Sequence, residues 1–200
     1  MLTLQSLPRL VSSFLEGFRF PSLTSLNISI PDAENARPFP INSLILLLQR
    51  SQCELQHLVL KQVPIPRESM MNILRATPTL VSLVIHEPAS YTHCITDAFS
   101  RYLMECSVLP KLEHVELVWS YDASEGCIID MIESRVVKTV AYGGVLGRIV
   151  LGRRKGLELE RSTIERVNSL RGRGFHILLW QVLGFCWKVL ERAIRHHAES

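Results

Sequence analysis

Three of the seven histidines, His57, His86 and His114, fall inside short strand-like phrases, and clustered imidazoles invite a metal centre. Neighbouring strands lie about 5 Å apart. His57 and His114 occupy the same place in phrases two steps apart, too far to share an ion whose ligands each approach to about 2 Å. No metal ligands are expected. His93, Cys94 and Cys106 bring a thiol and an imidazole together, the pair used in nucleophilic catalysis, but neither a third orienting group nor a Gly-rich oxyanion loop accompanies them. Cys53 and Cys106 are expected to be buried and inert. The chain has no P-loop, nucleophile elbow or paired carboxylates at a strand end. It is therefore expected not to be an enzyme, with no catalytic or cofactor-binding residues, no cofactor and no small-molecule substrate.

One charged segment remains. Residues 148–173 hold eight Lys or Arg against three Glu, a local +5, while the rest of the chain sums to −2. Such a patch can touch nucleic acid or an acidic partner. Glu158, Glu160 and Glu165 interrupt it and no stacking aromatics interleave with it, which favours a solvated face. The whole chain carries only +3 over 200 residues, with 47% hydrophobic and 20% charged residues, a composition for one folded domain. Five cysteines at irregular spacings argue against a disulfide framework and for a reducing compartment, cytoplasmic or nuclear. Pro8, Arg9 and Glu16 break up any secretion signal, and the longest near-apolar run, residues 177–190, is too short to span a bilayer.

The elements that must carry these residues repeat. Leu-x-x-Leu-x-Leu, with Ile or Val allowed, occurs at Leu23/Leu26/Ile28, Leu55/Leu58/Leu60, Leu80/Leu83/Ile85, Leu112/Val115/Leu117 and Leu146/Ile149/Leu151, with starts 32, 25, 32 and 34 residues apart. The period-2 part of each phrase predicts a short strand with one buried face. Between them, residues 41–52, 67–77, 97–107, 127–136 and 161–172 carry apolar residues at helical spacing. Pro21, Pro78 and Pro110 stand just ahead of three strands, where a residue that cannot continue a helix is useful. Such units bury their apolar faces only by stacking. The expectation is an α/β solenoid: short parallel strands on a concave face, helices on the convex face, in irregular repeats of 25–34 residues. A doubly wound sheet also alternates strand and helix, but the short, near-identical phrases and the lack of a phosphate loop favour the solenoid.

With the Leu positions inward, the intervening residues form three columns on the concave face. The first is Ser25, His57, Ser82, His114 and Arg148; the second Asn27, Val59, Val84, Glu116 and Val150; the third Ser29, Lys61, His86, Val118 and Gly152. This mixed surface suits a protein partner better than a phosphate backbone. The expected contact residues are His57, Val59, Lys61, Val84, His86, His114, Glu116 and Arg148. The loops "HEPASYTHC" (86–94) and "VWSYDASEG" (118–126) add Tyr91, Trp119 and Tyr121 as aromatic anchors, although packing against the next repeat is the commoner fate of a residue placed like Trp119.

The phrases "FPSLTSLNI", "CELQHLVL", "TPTLVSLVI" and "LPKLEHVEL", with "MIESR" (131–135), resemble leucine-rich repeats, and more narrowly those of F-box proteins abundant in mushroom-forming fungi. The resemblance covers about residues 1–178 and departs from the family in two ways. The Asn or Cys expected three residues past the last Leu is replaced by Pro31, Val63, Pro88, Ser120 and Arg154, so the side-chain ladder under the turn is missing. The F-box, the helical module that docks such proteins onto a cullin ubiquitin ligase, is absent from these 200 residues, and "MLTL" reads as the tail of an earlier strand. The resemblance implies a substrate-recognition arm with a protein target, reaching a ligase adaptor only through an F-box further upstream. The alternative is a free-standing scaffold. Residues 1–176 are expected to form the repeat domain, N-terminally incomplete. Residues 177–200 are expected to be a C-terminal helix and tail, since 177–190 is apolar nearly all round a helix.

Overall fold

Every apolar phrase becomes a strand, and every helically spaced segment a helix behind it. A computed structural model describes residues 1–5, 8–30, 39–88, 93–105, 107–120, 123–142, 146–154 and 159–182. In chain order the elements are β1 (Leu2–Gln5), α1 (Pro8–Gly17), β2 (Ser25–Ser29), α2 (Ile41–Ser51), β3 (His57–Lys61), α3 (Arg67–Ala76), β4 (Ser82–His86), α4 (Asp97–Met104), β5 (His114–Trp119), α5 (Glu125–Tyr142), β6 (Arg148–Arg154), α6 (Arg161–Gly172) and β7 (His176–Val182). The seven strands form one open, wholly parallel sheet in the order β1-β2-β3-β4-β5-β6-β7. Among the described residues, each strand pairs only with its neighbours in sequence. A doubly wound sheet reverses its strand order at a switch point; this sheet has none.

The core follows from the register. Leu26, Leu58, Leu83, Val115, Ile149 and Ile177 lie side by side across six strands, and Ile28, Leu60, Ile85, Leu117, Leu151 and Leu179 form a second ladder. All but Leu179, which packs against the cluster, are buried. Each fully buried aliphatic side chain contributes roughly 1.5–3 kcal/mol. The leading Leu of each phrase is buried as well: Leu23, Leu55, Leu80, Leu112 and Leu146. From the helices come Leu44, Leu47, Met70, Ile73, Phe99, Leu103, Ile132 and Val167.

Two expectations change. Residues 177–182, taken as the start of an apolar helix, belong to β7; the rest of 177–190 lies outside the described residues. A run that is apolar on all sides has no period to separate strand from helix, and the open edge of β6 decides in favour of pairing. Residues 8–17, given no helical assignment from sequence, form α1, which packs on α2. The expectation of an initial strand at "MLTL" matches β1.

Because every strand points the same way, the intervening helices run back against them. Helix N-termini, with their unpaired N–H groups, gather at the rim formed by the strand ends, and helix C-terminal carbonyls at the opposite rim. The side chains follow this polarity. At the first rim, the buried Glu87 carboxylate accepts from Ile95 N–H (2.6 Å) and Ser120 N–H (3.1 Å). Asp97 accepts from the backbone N–H of Ser124 (2.7 Å), and Glu125 from that of Glu160 (2.8 Å). These carboxylates take up backbone N–H groups in the segments between strands and helices. At the other rim, Arg50 donates to Leu15 O (2.8 Å) and Phe18 O (2.5 Å) at the end of α1. The buried Arg135 donates to Leu103 O (2.6 Å), Leu109 O (3.0 Å), Glu105 O (3.3 Å) and Val108 O at the end of α4. Acids stitch one rim and guanidiniums the other.

Candidate functional site

The sheet face opposite the core is set by how its strands begin. One carbonyl ahead of each of β2 to β5 accepts two N–H groups from the start of the next strand: Thr24 O takes Gln56 N–H (2.8 Å) and His57 N–H (3.0 Å). Gln56 O does the same for Val81 (2.8 Å) and Ser82 (2.9 Å), Val81 O for Glu113 (2.8 Å) and His114 (3.0 Å), and Glu113 O for Gly147 (2.8 Å) and Arg148 (3.2 Å). This repeated fork locks the first column residue by residue. The pairing places Ser25, His57, Ser82, His114 and Arg148 in one row, and the second and third columns hold the residues that alternation predicts. The first row also continues to His176 on β7, a member the sequence hid because its segment carried no strand period.

Depth, unlike register, varies along the columns. His57, Arg148 and His176 are exposed; Ser25, Ser82, His114, Val59, Lys61 and Glu116 are half-buried. Val84 and His86 were expected at the surface, but both are buried, His86 at 1% exposure, as are Val118 and Val150. A pleated strand fixes which face a side chain takes, not how much its neighbours cover it. Trp119, a candidate loop anchor for which packing was the commoner fate, is the last residue of β5 and a 2%-exposed member of the core, so it does not serve as an anchor. Tyr91 and Tyr121 lie outside the described residues.

A polar knot occupies the centre. His86 Nε2 lies 2.5 Å from Glu116 Oε1 on the neighbouring strand. Burial pushes the Glu116 carboxyl up, but the His86 hydrogen bond and the charges of His86, Lys61 and His114 outweigh it and hold the group below its usual range. His114 shares a hydrogen bond with Ser82 through Nδ1 (3.0 Å), while its Nε2 stands 4.0 Å from Glu116 Oε2. Burial, opposed by Glu116 and reinforced by Arg148 and His57, lowers the His114 pKa. Ser82, His114 and Glu116 thus have the residue types of a hydrolytic triad, but the 4.0 Å gap exceeds hydrogen-bond range and breaks the relay.

Among the described residues, no group of three or more His, Cys, Asp or Glu side chains is placed to hold a metal ion. Cys94 is buried, and burial followed by the Glu87 charge pushes its thiol well up; burial also raises Cys53. Neither is poised as a thiolate nucleophile. Cys106 lies outside the described residues. Glu87, which sequence reasoning passed over, lies 3.3 Å from His93 Nδ1, and burial raises its carboxyl.

The basic 148–173 segment is partly neutralised by the repeat before it. Arg153 pairs with Glu125, and Arg166 reaches Glu133 (2.7 Å) and Asp130 (2.5 Å) on α5. Arg161 pairs with Glu165 (3.0 Å). Among the described residues, no helix is long and apolar enough to cross a membrane. No protein-family model, curated protein or solved structure matches this chain.

Proposed function

We propose that this chain is a non-catalytic protein-interaction module of the leucine-rich repeat kind, similar to the substrate-recognition arm of an F-box ubiquitin-ligase subunit. The observation that carries the reading is the in-register first column, His57 to His176, presented by strands that each pair only with their sequence neighbours. Stacked units of this type make extended concave surfaces that contact partners through residues between the core positions. The fungal repeat phrases supply the link to ubiquitin ligation, and the target is a protein held on that surface. The broken relay between His114 and Glu116 supports binding over catalysis.

Affinity purification of the tagged chain from fungal lysate, beside a His57→Glu/Arg148→Glu double variant, tests this. Cullin-ligase subunits together with a protein lost from the double variant are the expected result. A column-dependent partner without ligase subunits would leave a free-standing scaffold, with the ubiquitin assignment withdrawn. Identical recoveries from the two chains would remove the concave face as the binding site.

A further inference from the structure

The first column differs from the rest of the concave face in a way that specifies its ligand. Its six members, Ser25, His57, Ser82, His114, Arg148 and His176, are consecutive across β2 to β7; Ser82 and His114 bond to each other, which leaves Ser25, His57, Arg148 and His176 to offer donors. Among the described residues, His57, Arg148 and His176 make no side-chain hydrogen bond or ion pair, and all three are exposed. By contrast, Arg153, Arg161 and Arg166 on the same stretch of chain are each tied to a carboxylate. The one carboxylate in the three columns of β2 to β6, Glu116, is bound to buried His86, with Lys61 beside it. Glu54 and Glu113 are also exposed, but both precede their strands and stand outside the three columns. The row itself therefore holds donors, with Arg148 as its fixed cation, and no acid.

Resting on the reading of this face as an interaction surface, we propose that the column docks an extended acidic segment of a partner protein, laid across the strands. Six strands at about 4.8 Å spacing make a line of about 24 Å, the reach of roughly seven residues of extended chain. Arg148 takes a carboxylate in bidentate fashion. His57 and His176 donate to carboxylates on either side of it, and Ser25 completes the line, while Ser82 and His114 stay bonded to each other. The buried Val84 and His86 lie beneath this track and do not touch the ligand.

A random linear-peptide display library, selected on the full chain and re-screened on His57→Glu/Arg148→Glu, tests the proposal. Selected peptides should be rich in Asp and Glu and lost from the double variant. A fluorescein-labelled oligoglutamate should bind the full chain in anisotropy titrations at low ionic strength, while oligolysine and oligoserine should not. Arg148→Gln, which keeps the stem and removes the charge, should weaken oligoglutamate about tenfold, and Arg161→Glu on α6 should leave it unchanged. Non-acidic peptides that depend on the column would overturn the acidic assignment and leave the interaction surface standing. Peptides indifferent to the column, or equal losses from Arg161→Glu, would remove both. An oligothymidylate held more tightly than oligoglutamate, through the same residues, would assign the column to nucleic acid and overturn the proposal.

Discussion

At the scale of single residues, Glu116 shows how a surface position becomes structural. Its partner His86 is buried, so replacing the carboxylate by an amide exchanges a charge-assisted hydrogen bond for a weaker neutral one. Glu116→Gln should cost about 1–3 kcal/mol at neutral pH, measured by urea unfolding. The sign of its pH dependence follows from a folded pKa below the ordinary 4.5. The contribution is present above that unfolded value and is lost as pH falls through the lower folded one. The gap between wild type and variant should therefore close in acid; a gap that persists there would mean packing, not charge, is responsible. Alternation in "HVELV" was enough to put Glu116 on the sheet face opposite the core. What it could not reveal was a cross-strand histidine one row over, because depth and pairing depend on neighbours about thirty residues away in the chain.

At the scale of elements, Arg135 joins two units that the sequence shows only as separate helices. Its guanidinium reaches four carbonyls at and beyond the end of α4. A lysine ammonium is a point donor and cannot span that fan. Arg135→Lys should lose about 3 kcal/mol in chemical denaturation, whereas Arg161→Lys, on an exposed pair, should lose less than about 0.5 kcal/mol. Similar losses in both would deny Arg135 its capping role. The helices themselves were legible: α2, α3 and α6 lie within a residue of the spans their apolar spacing predicts. β7 was not, because Ile177–Leu178–Leu179–Trp180 has no polar beat and only the edge of β6 tells it what to be. The carboxylates of Glu87 and Glu125 left no periodic signal either, since each accepts from a backbone N–H in the following unit.

At the scale of the molecule, the order of the sheet was legible because a repeated phrase with similar spacing leaves few other arrangements. The inner strands β3, β4 and β5 pair on both sides, while β1 and β7 each pair on one among the described residues. Amide hydrogen exchange should be slowest in β3 to β5 and faster at β1 and β7; uniform protection would mean the sheet opens as one unit. The same neighbour-to-neighbour order decides how the chain bears load. Among the described residues no hydrogen-bonded pair of strands joins distant parts of the sequence, so no strand pairing clamps β1 to β7. Tension applied across the sheet from β1 to β7 reaches the outermost strands first and strips them one at a time. The molecule would lengthen in small successive yields, like a seam unpicked from its ends, instead of failing at a single rupture.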